Sequence, residues 1–355
     1  MRKTLNYFLK NRLHIIAILS FLLLMITFFY LVDADFVYQY EYYDEYDRLV
    51  KIISPENSPF SLLATAAAIL STITVIFEFY FKMRKVNVDQ MYALPIKREK
   101  IFLSKLIVCY LEVIIPITIS FILSFAMISI SEHIFNLVYM IPFYFGLVFL
   151  SIVLITSFAF IYTRGNTFFD GLVNMLAYTC FLALFVNILI DTFSISYYKF
   201  GSSMAFFIYS PISIFTKYMD ELFMQEEVST YIGQFISMGV YVLFGILSFF
   251  LFVKLNKEEP SENCTQISKS WFSYKTIIPA YTIAFVIVSA MSFEVLSIVF
   301  SAIFTYLMFV LQKRSFKLSK KDFLLILCFI AIGIGLGIVC DNISTYLLRE
   351  HSAYY

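Results

Sequence analysis

Long apolar runs separated by short polar stretches set the pattern of this chain from one end to the other. An apolar run of about 20 residues spans a bilayer as an α-helix. The runs that predict a single span are His14–Val32, Ser58–Phe81, Ser104–Ile130, Asn136–Tyr162, Phe168–Ile190, Tyr231–Val253 and Phe323–Val339. The pattern therefore predicts an all-α polytopic membrane protein with six spans before residue 254.

One further apolar run is too long for a single span. Thr276–Leu311 is interrupted only by Glu294, and as a helix it would be about 54 Å long. Basic residues flank both of its ends, so both ends are expected on the same side of the membrane. The run therefore predicts a hairpin that turns near Ser292, Phe293 and Glu294, which brings the total to nine spans.

Composition agrees with this class. Hydrophobic residues make up 61% of the chain and charged residues 14%, with a mean hydropathy of +0.83. A soluble domain carries about 25% charged residues. The five cysteines are scattered and form no CxxC and no Cys/His cluster, so the sequence indicates neither a zinc site nor a disulfide framework.

The distribution of charge predicts which side each polar stretch occupies. The residues before the first span carry Arg2, Lys3, Lys10 and Arg12 and no acid, which favours a cytoplasmic N-terminus. No small-residue cleavage site follows, so we expect this first helix to be retained. Residues 33–57 are rich in acids and tyrosines and are expected to form an outer loop, whose tyrosines form either an interfacial belt or a binding surface. The tail, 341–355, is expected outside as well.

The most polar interruption in the first half is a basic loop, residues 82–103. The apolar residues Val86, Met91, Leu94, Ile101 and Phe102 recur among its charges, which predicts a short amphipathic helix. Pro95 ends this helix and starts a second helical segment. We hypothesise that this loop docks an ATPase subunit that the chain itself lacks. The residues assigned to that contact are Arg84, Lys85, Val86, Asp89, Met91, Leu94, Pro95, Lys97, Arg98 and Lys100.

Two other stretches complete the organisation. The outer segment 193–230 contains an apolar stretch too short to cross, which suits a re-entrant or interfacial helix pair. Residues 256–275 are predicted to be a cytoplasmic linker. The linker separates a core, 1–255, from the C-terminal hairpin and ninth span, 276–340.

Three charged residues fall inside or at the ends of spans. Glu112 lies near mid-membrane, where an ionised group costs about 3 kcal/mol, so it lines a substrate path or makes a structural hydrogen bond. Glu78 and Lys105 end neighbouring antiparallel spans at similar depth. We predict that they form an ion pair, against the alternative that both extend to the interface.

Small residues mark one face of the ninth span. Gly333 and Gly337 lie four apart, with Gly335 between them, a spacing that allows close helix packing. Packing within the chain is the main expectation, and dimerisation through this face is the alternative.

No chemistry for nucleotide hydrolysis is encoded. The chain has no G-x-x-x-x-G-K-[ST] and no catalytic motif, so we do not expect it to be an enzyme.

Two stretches resemble a known family. FYFKMRKVNVDQMYALPIKREKIFLSKLI, Phe79–Ile107, resembles the "RK…(S)LPI.R..(I/L)…K" stretch of ABC-2 type permeases, with Ala93 where many members have serine. QKRSFKLSKKDFLL, Gln312–Leu325, resembles a stretch in a bacterial branch related to permeases that respond to cell-wall antibiotics. The order of spans through about residue 255 is similar to the six-helix core of that family, so the resemblance implies such a core plus about three additional C-terminal helices. The branch resemblance reaches about 340. The chain departs from some members, which continue into an outer domain.

The resemblance implies a permease subunit in the bacterial plasma membrane. A separate ABC ATPase subunit would bind ATP and Mg²⁺, this chain would hold no cofactor, and a second permease would complete the exporter. Membrane lipids would surround it, nucleic acid would not be a partner, and its substrate would be amphiphilic: a lipid, a drug or an antimicrobial peptide. The alternatives are a non-transporting polytopic sensor that binds a partner, and a membrane-embedded enzyme acting on lipids.

Overall fold

The computed structural model describes most of the chain. The described residues are 2–33, 38–43, 49–54, 61–130, 140–193, 210, 213, 228–257, 264, 266, 268 and 270–352. Their helices are α1 (Arg2–Asp33), α2 (Ser61–Phe79), α3 (Lys85–Tyr92), α4 (Arg98–Ile130), α5 (Met140–Tyr162), α6 (Phe168–Thr192), α7 (Val228–Lys257), α8 (Thr276–Met291), α9 (Val295–Lys313) and α10 (Lys320–Ser352). A 3₁₀ turn, Tyr80–Met83, joins α2 to α3, and a π-type turn, Trp271–Lys275, precedes α8.

The predicted spans are present as helices. Within the described ranges, nine helices are long and apolar enough to cross a membrane, namely every helix except α3. Each of these helices covers most of its apolar run, because burial of the backbone in hydrocarbon requires helical hydrogen bonding. A helical, multi-pass membrane protein is therefore confirmed.

Several helices extend beyond their apolar runs. α1 begins at Arg2 instead of near His14, and α4 begins at Arg98, one to two turns before the predicted span. α10 continues past Asp341, where we predicted the tail to begin, and ends at Ser352. Apolarity sets which turns can lie in the membrane, whereas polar turns of the same helix remain hydrated beyond it.

The acidic segment between α1 and α2 contains β structure that we predicted to be loop. Strands β1 (Tyr38–Tyr43) and β2 (Leu49–Ser54) pair antiparallel, with Tyr38 opposite Ser54 and Tyr43 opposite Leu49. Aromatic and β-branched residues favour strands, and both segments are rich in them. The all-α description therefore holds for the spans and not for this hairpin.

The predicted hairpin in the long apolar run is confirmed. α8 ends at Met291 and α9 begins at Val295, so the chain turns at residues 292–294. Phe293 adopts a left-handed conformation with φ 55°, and the backbone N–H of Glu294 donates to the carbonyl of Ser289 at 2.9 Å.

The helices form one continuous bundle. α1 packs along α4, α2 packs on α4 and α5, and α7 packs on α5. Where α2, α4 and α7 meet, the rings of Phe79, Phe102 and Phe252 pack at centroid distances of 5.6–6.2 Å. α8 packs on α6 and on α10, so it links the last three spans to the first six.

Some predictions fall outside the described residues. They concern most of the outer segment 193–230 and most of the linker before Ser270.

Candidate functional site

The basic loop predicted from the sequence lies where α2 ends and α4 begins. We call this end of the bundle, with the 3₁₀ turn, α3 and the α5–α6 turn, the basic end. Extended backbone at Arg84 (φ −119°, ψ 121°) separates the 3₁₀ turn from α3, and Ala93 follows the last turn of α3. Pro95 lies in the break before α4 begins at Arg98. The predicted sequence of short helix, break and second helix is confirmed.

The apolar face of α3 differs from the prediction. Val88 is buried and Met91 packs against the core, whereas Val86 is 68% exposed and Leu94 is also exposed. Residues three apart lie on one face of a helix, but residues five apart lie about 140° from each other at 100° per residue. The assignment of Val86 to the same face as Met91 was therefore wrong.

The charged residues assigned to the ATPase contact fall into two groups. Arg84 lies over the ring of Tyr80 at 5.0 Å, and Arg98 lies over the ring of Tyr92 at 4.5 Å. The remaining charged side chains of that set are exposed: Lys85, Asp89, Lys97 and Lys100. The loop therefore presents an exposed surface of lysines on a framework that the two arginine–tyrosine contacts hold.

A buried ion-pair cluster lies directly behind the loop. Nζ of Lys105 lies 2.8 Å from Oε2 of Glu78, as the depth of the two residues predicts. Nε of Arg12 on α1 lies 2.5 Å from the other carboxylate oxygen of Glu78. The ammonium of Lys105 also lies between the rings of Phe8 and Phe81, at 5.2 and 4.9 Å. One carboxylate thus joins α1, α2 and α4.

Glu112 lies about two turns further along α4. Its side chain is buried, and its Oε1 has no hydrogen-bond partner among the described residues. Burying a polar group without a partner carries a free-energy cost. Both readings of this residue, path lining and structural hydrogen bond, remain predictions.

A buried polar network at the basic end was missed by the sequence analysis. The ammonium of Lys82 donates to the carbonyl of Thr163, and the guanidinium of Arg164 donates to Oδ1 of Asn256. Lys82 and Arg164 are each 5% exposed. The network connects the end of α2, the α5–α6 turn and the end of α7.

The linker before α8 packs onto the same network. Sγ of Cys264 donates to the carbonyl of Lys82 at 3.3 Å, and Oγ of Ser268 donates to the carbonyl of Arg164 at 2.7 Å. The hydroxyl of Tyr274 donates to Oδ1 of Asp170 at 2.7 Å. The sequence contained a signal for this contact, because Asp170 and Asn174 lie four apart and so share one polar face of a mostly apolar span.

The glycines of α10 pack closely within the chain. A Cβ on Gly333 would lie 2.7 Å from Cβ of Val286, and one on Gly337 would lie 2.6 Å from Cβ of Ala290. A Cβ on Gly335 would meet no atom within 4 Å. Gly333 and Gly337 therefore face α8, as expected for packing within the chain.

Among the described residues, no group of three or more His, Cys, Asp or Glu side chains is arranged to hold a metal ion.

The fold and this site define a multi-pass helical membrane protein with a structured basic loop at one end. No family model matches the chain, and no curated protein or solved structure matches it. The likeness to ABC-2 type permeases therefore depends on the motifs in Phe79–Ile107 and Gln312–Leu325 and on the order of the spans.

Proposed function

We propose that this chain is the membrane-spanning permease subunit of an ATP-driven ABC exporter in the bacterial plasma membrane. A separate ATPase subunit would supply the energy, with ATP and Mg²⁺ bound there. The observation that carries the proposal is the form of the basic loop, which is an ordered helix and turn that presents exposed lysines at the junction of two spans. A loop that only connected two spans would need no such helix.

The exposed surface of the loop supports a protein partner. Val86 is 68% exposed and lies next to Arg84 and Lys85, which are exposed too, and Leu94 adds a second exposed apolar side chain. Protein interfaces combine an apolar centre with a polar, charged rim. A shallow acidic groove with an apolar floor on the ATPase would complement this surface.

The route from the loop into the membrane is short. α4 is one helix from Arg98 to Ile130, with Pro116 inside it, so a displacement at its first turn would move the span at least as far as Pro116. The Glu78 carboxylate binds Lys105 of α4 and Arg12 of α1 in a buried position, which ties three helices together. Closure of two ATPases would then rock α1, α2 and α4 as a unit.

Polar groups between α4 and α5 suit an amphiphilic substrate. The hydroxyl of Tyr110 lies 2.7 Å from Oγ1 of Thr156, and Oγ1 of Thr118 lies 2.7 Å from the hydroxyl of Tyr144. The two pairs form a line of polar groups between α4 and α5, whereas Glu112 lies about 160° from Tyr110 around α4 at 100° per residue. In a pair of permeases, such a line would contact the polar part of a lipid, drug or peptide while its apolar part stays in the membrane.

The experiment is co-purification of the tagged full chain with the products of its genomic neighbours. We expect an ATPase with a phosphate-binding loop to co-purify, and Arg98→Glu or Val86→Asp to reduce its recovery at least about tenfold, since charged interface substitutions of this kind cost more than about 1.4 kcal/mol. The matched control is Lys321→Glu, which reverses an exposed lysine elsewhere on the chain and should leave recovery unchanged.

Two results would contradict the proposal. Recovery of no ATPase, with all neighbours expressed, would remove its basis. Recovery of a partner without nucleotide hydrolysis, lost on the same substitutions, would favour a non-transporting sensor.

A further inference from the structure

The turn between α9 and α10 concentrates positive charge at the ends of two spans. Only six residues, 314–319, separate Lys313 at the end of α9 from Lys320 at the start of α10. The basic side chains of this turn are all exposed: Lys313, Arg314, Lys317, Lys320 and Lys321. A turn this short keeps those charges close to the membrane surface.

The one acidic residue beside the turn is used internally. Oδ2 of Asp322 accepts hydrogen bonds from the backbone N–H of Ser319 at 2.8 Å and from its hydroxyl at 2.7 Å, and it pairs with the ammonium of Lys313. These contacts cap the start of α10. Asp322 therefore does not neutralise Lys317, Lys320 or Lys321, whose ammonium groups form no ion pair within the described part of the chain.

Two of these lysines are unfavourably placed for the helix itself. Lys320 and Lys321 occupy the first turn of α10, where the helix dipole favours negative charge. Helix stability does not explain their presence. A cytoplasmic position of the turn accounts for basic residues in it, and an anion bound at the turn would account for their place on the first turn of α10.

The surroundings of the turn are apolar and suited to lipid. Phe316 is 77% exposed, and its backbone carbonyl accepts a hydrogen bond from the hydroxyl of Tyr306 at 3.0 Å. Phe323 and Leu324, on the first turns of α10, are 60% and 62% exposed. α9 and α10 are also less covered by protein than α8. The lysines thus lie at the boundary of a lipid-facing helix pair with an aromatic side chain among them.

We propose that residues 314–321 bind the headgroups of anionic phospholipids in the leaflet at the basic end. Lys317, Lys320 and Lys321 would contact lipid phosphates, and Phe316 would insert between the headgroups. Clusters of basic residues directly beside a span are typical of such recognition. The basic loop at α3 differs, because it carries its own helix between two spans.

The test compares lipid binding by the purified full chain in neutral detergent. Phosphatidylglycerol and phosphatidylcholine are titrated separately, and bound lipid is counted by native mass spectrometry. The variant combines Lys317→Gln, Lys320→Gln and Lys321→Gln. We expect its affinity for phosphatidylglycerol to fall by about fivefold for each lysine removed, with little change for phosphatidylcholine.

A second measurement separates lipid binding from folding. In detergent without added lipid, the triple variant should unfold at the same temperature as the parent or higher, because it removes charges that oppose the helix dipole. Added phosphatidylglycerol should raise the unfolding temperature of the parent and not that of the variant.

The control variant neutralises three exposed lysines of the other basic loop: Lys85→Gln, Lys97→Gln and Lys100→Gln. It should retain phosphatidylglycerol binding. Equal loss in the control, or unchanged binding by the triple variant, would overturn the proposal. If the triple variant lost a co-purifying protein while its lipid binding stayed intact, the turn would bind a protein partner and the lipid proposal would be overturned.

Discussion

The close contact between α8 and α10 gives a prediction that can be worked out from distances. A Cβ on Gly337 would lie 2.6 Å from Cβ of Ala290 and 3.0 Å from the carbonyl oxygen of Ile287. Carbon atoms in contact prefer about 3.5–4.0 Å, so Gly337→Ala requires the two helices to separate by about 1 Å. Gly333→Ala meets Val286 in the same way, with its Cβ at 2.7 Å.

The expected change in the free energy of unfolding combines two opposing effects. Overpacking costs about 1–3 kcal/mol, whereas replacing glycine by alanine within a helix contributes about 1 kcal/mol of stability. Each single variant should therefore be destabilised by up to about 2 kcal/mol, and the double variant by more. Thermal unfolding of the purified chain in detergent measures this.

Gly335→Ala provides the matched control. It lies on the same helix between the other two, and its Cβ would meet nothing within 4 Å. It should be neutral or stabilising by up to about 1 kcal/mol. If Gly335→Ala lowered the unfolding temperature as much as Gly337→Ala, or if none of the three changed it, the close approach of α8 and α10 would be refuted as the reason for these glycines.

Two further predictions concern buried polar contacts. Glu78→Gln leaves the cations of Lys105 and Arg12 without their carboxylate and should destabilise the chain by about 3–5 kcal/mol. The double reversal Glu78→Lys with Lys105→Glu should restore only part of the lost stability, because the introduced ammonium would then face Arg12. Adding Arg12→Glu should restore more of it. Equal unfolding temperatures for the double and triple reversals would contradict this geometry. Tyr274→Phe removes the donor to Oδ1 of Asp170 and should cost about 1–3 kcal/mol, whereas the exposed Tyr7→Phe should have no effect in the same thermal assay.

Helix length and charge were sufficient to predict some features residue by residue. The hairpin at residues 292–294 followed from a run too long for one span with basic residues at both ends. The contact between Glu78 and Lys105 followed from equal depth on antiparallel neighbours. Both depend only on the distance along a helix and the position of the membrane boundary, which a sequence contains.

Other features depend on how helices pack, which one sequence does not contain. Arg12 reaches Glu78 because α1 packs along α4 and is helical before its apolar run begins. The strands β1 and β2 were missed because the acids suggested a loop although the aromatic and β-branched residues favoured strands. The error at Val86 was avoidable, since the helical period alone places it away from Met91.

The linker gives the basic loop a second connection that helix order alone would not suggest. The carbonyl of Lys82, at the base of the loop, accepts from Cys264, while Ser268 binds the carbonyl of Arg164. Six residues further on, Tyr274 leads into α8 and is held by Asp170 of α6. A displacement of the loop therefore acts on α4 through its first turn and on α8 through the linker. Because α8 packs on α10, both the first six spans and the last three would respond to the proposed ATPase partner.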